Sequence, residues 1–436
     1  SNHYMREVLE TEVFPSKENP NGVVMNIPTL DLAFYPFLKG PYNFDVTATS
    51  VSAGIDAEGK LLEPQTRWGG IMRKIDAPDF EETNVEYIEF WLLDPFIYEP
   101  NHSGGKLVFN LGDISEDILR DHRKSYENGL PTGPTVVNVD TTQWGRVPTI
   151  QALVNSFDNN PESRKYQDVG IDGLSDEDER SFFQAYLNAI ATNFTTASAA
   201  YAQALADPAS DNYHYFRGSD YDDQKLSILE RYMKYNGLEG NSPTSELSPE
   251  PYPTSATTLP DVEDINRDNT LNENERYYQY VINLKPDEMQ IGKNFIADIR
   301  NASVRLPNGK TETVKWYQFK IPIREYQQVF GNISDFKSIR FMRIFLREFK
   351  DPIVLRFATL DLVRNQWRIY NRSLLYPGEY LAGDDQNQTH VEVSAVSYEE
   401  NGNRSPIPYV LPPGIEREIG WGGNTSYRMN EQALVL

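Results

Sequence analysis

The chain has 436 residues and a formal net charge of −23 at pH 7, and it contains no cysteine. The missing cysteine excludes disulfides, thiolate metal sites and cysteine nucleophiles, and the acidic charge makes nucleic acid and anionic lipid unfavourable partners. Aromatic residues reach 12% and hydrophobic residues 39%, which favours a β-rich globular chain of about two or three domains. No run of 18 apolar residues occurs, so no segment has the sequence of a membrane-spanning helix.

Short runs in both halves alternate apolar and polar residues, which is the pattern of half-buried strands. Examples are “KLVFNL” and “IVLRFATLDL”, and many short strands separated by Gly, Pro and Asn turns are typical of a β-sandwich. Between the halves, “DERSFFQAYLNAIATNFTTASAAYAQALA” and “DQKLSILERYMKYNG” have helical spacing. We therefore predict a mainly β fold, with two jelly-roll-like, carbohydrate-binding-module-like β-sandwiches and a helical insertion.

Changes of pattern set the predicted domain boundaries. The chain starts at Ser1-Asn2 without an initiating Met or a signal peptide, which we interpret as a cloning scar on a cut segment. The stretch “NSPTSELSPEPYPTSATTLP” reads as a linker, and the final “QALVL” as the start of a strand. We predict an N-terminal extension at 1–23, a first β-sandwich at 24–160, an acidic loop with the helical insertion at 161–242, a Ser/Thr/Pro-rich linker at 243–262, a second β-sandwich at 263–385, and the truncated start of a further module at 386–436.

The two halves share a spaced pattern of residues. Trp68 and Trp316 differ by 248 positions, and so do Phe109 and Phe357. A shared offset over tens of residues indicates an internal duplication, and chance matches among aromatic-rich strands are the alternative. Under the duplication, we expect each of these pairs at equivalent places in two superposable sandwiches.

The stretch “DVGIDGLSDEDE” holds six carboxylates and no basic residue. Its second half fits a capping box, because Ser175 precedes Asp178 by three positions and acidic residues in the first helical turn offset the helix dipole. Its first half fits a calcium loop, in which Gly173 at the sixth position makes the turn and alternate residues supply oxygens; a solvated acidic turn is the alternative. Gly170 leaves the third position without a side-chain ligand. The predicted ligands are Asp168, Asp172, the carbonyl of Leu174, Asp176 and Glu179.

A second stretch, “DINRDNTLNENE”, has the same spacing of oxygen ligands. It departs from the calcium-loop pattern at the sixth position, where Asn269 stands in place of glycine, but asparagine tolerates left-handed backbone geometry better than most residues. We predict calcium as cofactor, with up to two ions, and we expect the first loop to bind more weakly because of Gly170. The predicted ligands of the second loop are Asp264, Asn266, Asp268, the carbonyl of Thr270 and Glu275.

Residues for catalysis form no recognisable constellation. None of the five histidines has metal-ligand spacing to another, and no nucleophile-elbow motif accompanies them. Paired carboxylates for glycoside hydrolysis can be chosen anywhere in so acidic a chain, so they carry no information. We therefore predict that the chain is not an enzyme. Four tryptophans have faces that stack on sugars, although strand tryptophans more often belong to a core: Trp68, Trp91, Trp316 and Trp367.

Long stretches of the chain resemble the SprA family, also called Sov-type or gliding-motility cell-surface proteins. They include “LDLAFYPFLKGPYNFD”, “GGKLVFNLGDISEDILRDHRKSYENGLP”, “YQDVGIDGLSDEDE”, “TTLPDVEDINRDNTLNENERYYQY” and “SYEENGNRSPIPYVLPPGIERE”. The resemblance implies part of a very large outer-membrane protein that forms the giant β-barrel translocon of the type 9 secretion system. The chain shows no lipid-facing strand pattern with aromatic girdles, so the resemblance implies a soluble segment of that protein.

The predicted function is therefore structural. We interpret the chain as a non-catalytic segment of a translocon involved in protein export and gliding motility, located at the outer membrane or cell surface. Weak calcium loops favour the extracellular face over the periplasm. The implied partners are other type 9 secretion components and secreted cargo, with no nucleic acid, and with membrane contact only through the rest of the protein. The alternative is a carbohydrate-binding cell-surface module.

Overall fold

The computed structural model describes most of the chain. The described residues are 2–19, 22–41, 43–126, 133–150, 160–164, 166–167, 172–212, 218–233, 263–365, 394–422 and 425–435. The predicted linker and Trp367 lie outside these ranges. No helix within them has the length and apolar character needed to cross a membrane.

Strands dominate the described ranges, and most helices are short. The strands are β1 Val8–Leu9, β2 Asn26–Ile27, β3 Leu30–Phe34, β4 Trp68–Lys74, β5 Val85–Leu93, β6 Gly105–Asp113, β7 Val139–Thr141, β8 Arg146–Pro148, β9 Arg276–Leu284, β10 Ile296–Arg305, β11 Thr311–Pro322, β12 Gln328–Phe330, β13 Phe341–Arg347, β14 Ile353–Arg364, β15 Ser394–Ser397, β16 Ile419–Gly422, β17 Thr425–Arg428 and β18 Gln432–Val435. The helices are α1 Glu10–Val13, α2 Pro161–Arg164, α3 Asp176–Phe182, α4 Gln184–Phe194, α5 Ala199–Ala206, α6 Ser219–Asp223, α7 Ile228–Tyr232 and α8 Tyr398–Asn401.

Two five-stranded antiparallel sheets pack face to face around the main core. The first sheet has the order β10-β11-β5-β14-β3 and the second has the order β12-β9-β6-β13-β4. Alternate residues of each central strand point inwards, as the period of two requires. Phe90 lies at the centre, with its ring stacked on Phe319 at 4.7 Å between centroids and close to Phe109 and Phe357 at 5.4 and 5.3 Å. The predicted mainly β sandwich class with helices between its strands is confirmed.

The strands of the two halves build one sandwich together, which corrects the prediction of two superposable sandwiches. In the first sheet, β5 from the first half lies between β11 and β14 from the second half. In the second sheet, β6 from the first half lies between β9 and β13 from the second half. Alternation of apolar residues predicts that a strand exists, but it does not predict its partner, because pairing depends on contacts far apart in sequence.

The matched strands of the two halves are nevertheless paired in a corresponding way. The offset of 248 residues matches β4 with β11 and β6 with β14. The order β11-β5-β14 in one sheet corresponds to β4-β13-β6 in the other, so each of these two strands and its match lie in opposite sheets. Trp316 pairs with Leu93 of β5, and Trp68 pairs with Arg347 of β13. The two tryptophans differ in burial, because Trp316 is 0% exposed whereas Trp68 is 72% exposed.

The N-terminal segment explains why Trp316 is buried. Tyr4 and Val13 pack with Trp316 in a second apolar cluster on the outer face of the first sheet. The segment is held there by Arg356, whose Nη1 donates to the carbonyl oxygens of His3 at 2.9 Å and Arg6 at 2.7 Å.

The helices α3 to α5 form a third cluster beside the sandwich. Leu187 and Ile190 of α4 pack against Ala200 of α5 and against Val46 and Ile55, which precede β4 in the chain. The cluster therefore joins the helical segment to the stretch that leads into β4. Near the C-terminus, β15 pairs with β18 and β16 pairs with β17 in two small sheets.

Phe90→Ala should lower the free energy of unfolding by about 3–5 kcal/mol, because it removes a ring from the centre of a core that both halves share. Phe330→Ala is the control, since Phe330 is 40% exposed, and it should cost less than about 1 kcal/mol. Urea unfolding followed by tryptophan fluorescence measures both. If Phe90→Ala shifts one of two separate transitions and leaves the other in place, the two halves fold independently and the shared core is wrong.

Candidate metal centre

Five carboxylates converge where the helical segment begins. Oxygen atoms of Asp172, Glu179 and Asp211 all lie within 4.8 Å of one another, and so do those of Asp176, Glu179 and Asp207. Asp172, Glu179 and Asp211 are at most 1% exposed. We call these five residues the acidic pocket.

Local sequence positions the first wall of the acidic pocket. Gly173 has φ +69°, the left-handed conformation that the calcium-loop spacing requires at its sixth position. The Leu174 N–H donates to Asp172 Oδ1 at 2.9 Å. Ser175 then caps α3 by accepting from the Asp178 N–H at 3.3 Å, as predicted. In a full capping box, the side chain at position 178 would also accept from the Ser175 N–H. Here Asp178 Oδ2 instead pairs with Arg146 at 2.9 Å.

The loop after α5 forms the second wall. Asp207 Oδ1 accepts from the Ser210 N–H at 2.7 Å, and its Oδ2 accepts from the Asn212 N–H at 3.2 Å. The two walls are joined by two hydrogen bonds. Glu179 Oε2 accepts from the Ala209 N–H at 2.8 Å, and Asp176 Oδ1 accepts from Asn212 Nδ2 at 2.8 Å.

Lys39 brings one positive charge to the acidic pocket. Its Nζ donates to the carbonyl oxygens of Pro208 at 3.1 Å and Ala209 at 3.3 Å, and to Ser210 Oγ at 3.0 Å. Burial of the ammonium group lowers the pKa of Lys39 to about 8, although nearby carboxylates oppose the change. Burial also raises the pKa of Asp176. The positive charge of Arg180 acts on Asp176 in the opposite direction.

The acidic pocket contains part of the first predicted calcium loop. The structure brings Asp172 and Asp176 each close to Glu179, in two different groups, whereas Asp168 lies outside the described residues. Leu174 is fully buried, and its side chain packs in the helical cluster. Asp207 and Asp211 were missed by sequence reasoning. Their stretch “DPASDN” reads only as a turn, and nothing in it indicates which helix it contacts.

The second predicted loop is a hydrogen-bonded turn. Asn269 has φ +60°, as the calcium-loop spacing requires. Asp264 accepts from the N–H groups of Asp268 at 3.0 Å and Asn269 at 3.2 Å. Asp268 Oδ1 also accepts from the Thr270 N–H at 2.9 Å, and its Oδ2 accepts from Asn266 Nδ2 at 2.9 Å. The turn therefore has, at Asn269, the left-handed backbone conformation expected for the predicted loop.

Arginines contact two of the predicted ligands in this second loop. Asp268 Oδ2 pairs with Arg340 at 3.0 Å, and Glu275 Oε1 pairs with Arg343 at 3.1 Å. Within the described residues, no close cluster of three metal-binding side chains includes Asp264, Asp268 or Glu275. The calcium site at this loop stays a prediction.

Glu116 anchors the second loop to the segment after β6. Its Oε1 accepts from the Ile265 N–H at 2.9 Å and its Oε2 from the Asn272 N–H at 3.3 Å. The side chain is fully buried, and burial raises the pKa of Glu116 to about 7 even though these amides favour its charged form. The buried carboxylate therefore binds a proton more tightly in the folded chain than in the unfolded one.

The fold and the acidic pocket define a β-sandwich protein with a candidate cation site. A family model described as “Motility related/secretion protein”, SprA_N, matches residues 185–436. The match covers more than half of the chain, so the chain belongs to the SprA family of motility- and secretion-related proteins. No curated protein matches the chain significantly.

Glu116→Gln should remove a pH dependence of stability. Because the folded pKa is raised to about 7, the wild-type penalty for ionisation is absent below the ordinary pKa of 4.5 and grows as the pH rises to about 7. The wild type should therefore lose about 1–3 kcal/mol over this window relative to Glu116→Gln, which cannot ionise.

Urea unfolding of both proteins at pH 4.5 and pH 7.5, in the presence of chelator, measures this difference. Glu177→Gln, at an exposed glutamate of α3, is the control and should follow the wild type. Parallel pH profiles for the wild type and Glu116→Gln would contradict the assignment.

Proposed function

We propose that the chain is a non-catalytic segment of the outer-membrane translocon of the type 9 secretion system, and that it supports protein export and gliding motility. The match to the motility- and secretion-related family over residues 185–436 carries this proposal. On this reading the segment acts at the cell surface, with secreted cargo and other secretion components as its partners.

The architecture supports a structural role. The central strands of both sheets come from both halves of the chain, so the sandwich is held by pairings between residues far apart in sequence. The N-terminal segment packs on the outer face of one sheet, and the helices form an apolar cluster of their own. Such a frame suits a scaffold that presents fixed surfaces to partners.

An in-frame deletion of the codons for residues 24–365 tests the secretion role in a bacterium that carries the gene. We expect cargo to be retained inside the outer membrane and gliding to be lost, because the deletion removes the shared sandwich. Cargo in the medium, colony spreading and the amount of mutant protein in the outer-membrane fraction are measured together.

An allele with Glu177→Gln, at an exposed glutamate, serves as the control and should secrete normally. Normal export and gliding by a deletion protein that reaches wild-type levels would refute the proposal. A temperature-dependent export defect in a Phe90→Ala allele, with the protein still present, would support it without removing the segment.

We further propose calcium as the cofactor of the acidic pocket. Five carboxylates supply oxygen ligands only, which is the donor set that a hard cation prefers. The predicted ligands Asp172, Asp176 and Glu179 would act with Asp207 and Asp211, beside Asp168 and the Leu174 carbonyl. Glu179 is common to two groups of three close carboxylates, one with Asp172 and Asp211 and one with Asp176 and Asp207.

A second calcium in the loop from Asp264 to Glu275 is the weaker part of this proposal. Asp268 and Glu275 would have to leave Arg340 and Arg343 before they could bind an ion. The arginine pairs thus reverse the order of affinity expected from the sequence, in which the first loop was the weaker one.

Calcium should raise the free energy of unfolding by about 2.7 kcal/mol when it is present at a hundredfold excess over its dissociation constant. Asp211→Asn should abolish this effect, because it replaces one carboxylate of the pocket by an amide. Glu177→Gln, outside the pocket, should respond to calcium as the wild type does. Urea unfolding with calcium and with chelator measures all three.

The expected dissociation constant is roughly 0.1–1 mM, as for extracellular calcium modules. A wild-type midpoint that ignores calcium well above this range would exclude both sites. A response that Asp211→Asn retains and Asp268→Asn loses would assign the ion to the second loop instead.

A further inference from the structure

We propose that the cleft beside Trp68 binds a neutral oligosaccharide. The cleft has a volume of about 1010 Å³ and lies between the start of β4, the segment before it, the β7–β8 hairpin and the loop after α5. This volume is at the upper end of the range for small-ligand sites, so an oligomer fits better than a single sugar. The inference does not depend on the secretion role.

Trp68 gives the cleft an exposed indole. The corresponding Trp316 in the other sheet is covered by Tyr4, Val8 and Val13, whereas Trp68 is 72% exposed. The ring is steadied by an edge contact with Phe345, at 6.4 Å between centroids. The exposed face of this ring is free to stack on a flat apolar ligand surface.

A second indole lines the same cleft. Trp144 is half-buried and lies in the turn between β7 and β8, where its backbone N–H donates to Thr142 Oγ1 at 3.1 Å. Phe34 and Tyr35 add further aromatic surface to the lining. Flat aromatic faces suit the apolar C–H faces of pyranose rings, because they bury apolar area without requiring a charge.

Polar groups around these rings match sugar hydroxyls. Gln143 and Asn43 line the cleft with amides, and Asp45 adds a carboxylate, so both donors and acceptors are present. Arg67 is held in place by donating to Ser52 Oγ at 2.9 Å and to the carbonyl oxygens of Gly54 at 3.2 Å and Leu62 at 3.0 Å. A preorganised donor of this kind fixes the orientation of a ligand.

Charge selects a neutral ligand. The lining holds Asp45 and Asp207 together with Lys39 and Arg67, so the cleft itself is close to neutral, while the whole chain carries a net charge of −23. An anionic polysaccharide would be repelled by this field. A neutral sugar keeps the stacking and hydrogen-bonding contacts without that repulsion.

Calorimetric titration of the full chain with cellohexaose, laminarihexaose and mannohexaose tests the proposal, with hyaluronan as the anionic comparison and a length-matched Gly/Ser/Tyr peptide as the polypeptide comparison. At least one neutral hexasaccharide should bind. Trp68→Ala should weaken binding by about tenfold or more, since it removes a stacking face.

Trp421→Ala is the matched control, because Trp421 is 76% exposed and lies outside the lining of the cleft. It should bind as the wild type does. Gln143→Ala, at an exposed side chain, gives a second variant in the cleft whose folding should be unaffected, and it should also weaken binding.

No binding of any of the three hexasaccharides at millimolar concentration would overturn the proposal. So would equal losses in Trp68→Ala and Trp421→Ala, which would place the site elsewhere. Binding of the peptide alone would show that the cleft takes polypeptide rather than sugar, and tighter binding of hyaluronan than of the neutral sugars would refute the charge argument.

Discussion

The structure depends on the hydrogen bonding of β5 to strands from the other half of the chain on both of its edges. Seven residues of β11 and seven of β14 pair with it, and its inward face carries Phe90 into the shared core. Neither half can form a complete sheet alone, because each sheet has central strands from both halves. Segments more than 200 residues apart must therefore fold together, and the intervening helices are held at the side of the sandwich.

Strand register also positions the second acidic loop, from Asp264 to Glu275. Asp113 at the end of β6 pairs with Arg276 at the start of β9, so the segment after β6 and the loop before β9 meet at one edge of the sheet. Asp113 Oδ2 accepts from Arg276 Nη2 at 3.0 Å and Glu116 reaches the loop amides. The second loop is thus held by protein groups, and protein hydrogen bonds to Glu179 and Asp207 hold the acidic pocket as well.

Sequence patterns predicted local geometry well in both loops. Gly173 and Asn269 take the left-handed conformation that their positions imply, because a turn depends on a few neighbouring residues. The contributions of Asp207, Asp211 and Lys39 could not be predicted, since they reach the pocket through packing between segments far apart in the chain. The same limit applied to the strands. Alternation of apolar and polar residues predicted that strands exist, but it did not predict that strands of one half pair with strands of the other.

The acidic pocket and the cleft share a wall. The Asp172 carbonyl accepts from the Arg146 N–H at 2.7 Å, and Gly145 approaches the same carbonyl so closely that a Cβ would lie 2.2 Å from it. The turn that carries Trp144 therefore rests on the backbone of the pocket, and Asp207 belongs to both sites. In the proposed sugar site, the position of Trp144 relative to Trp68 would therefore depend on the backbone at Asp172 as well as on the sandwich.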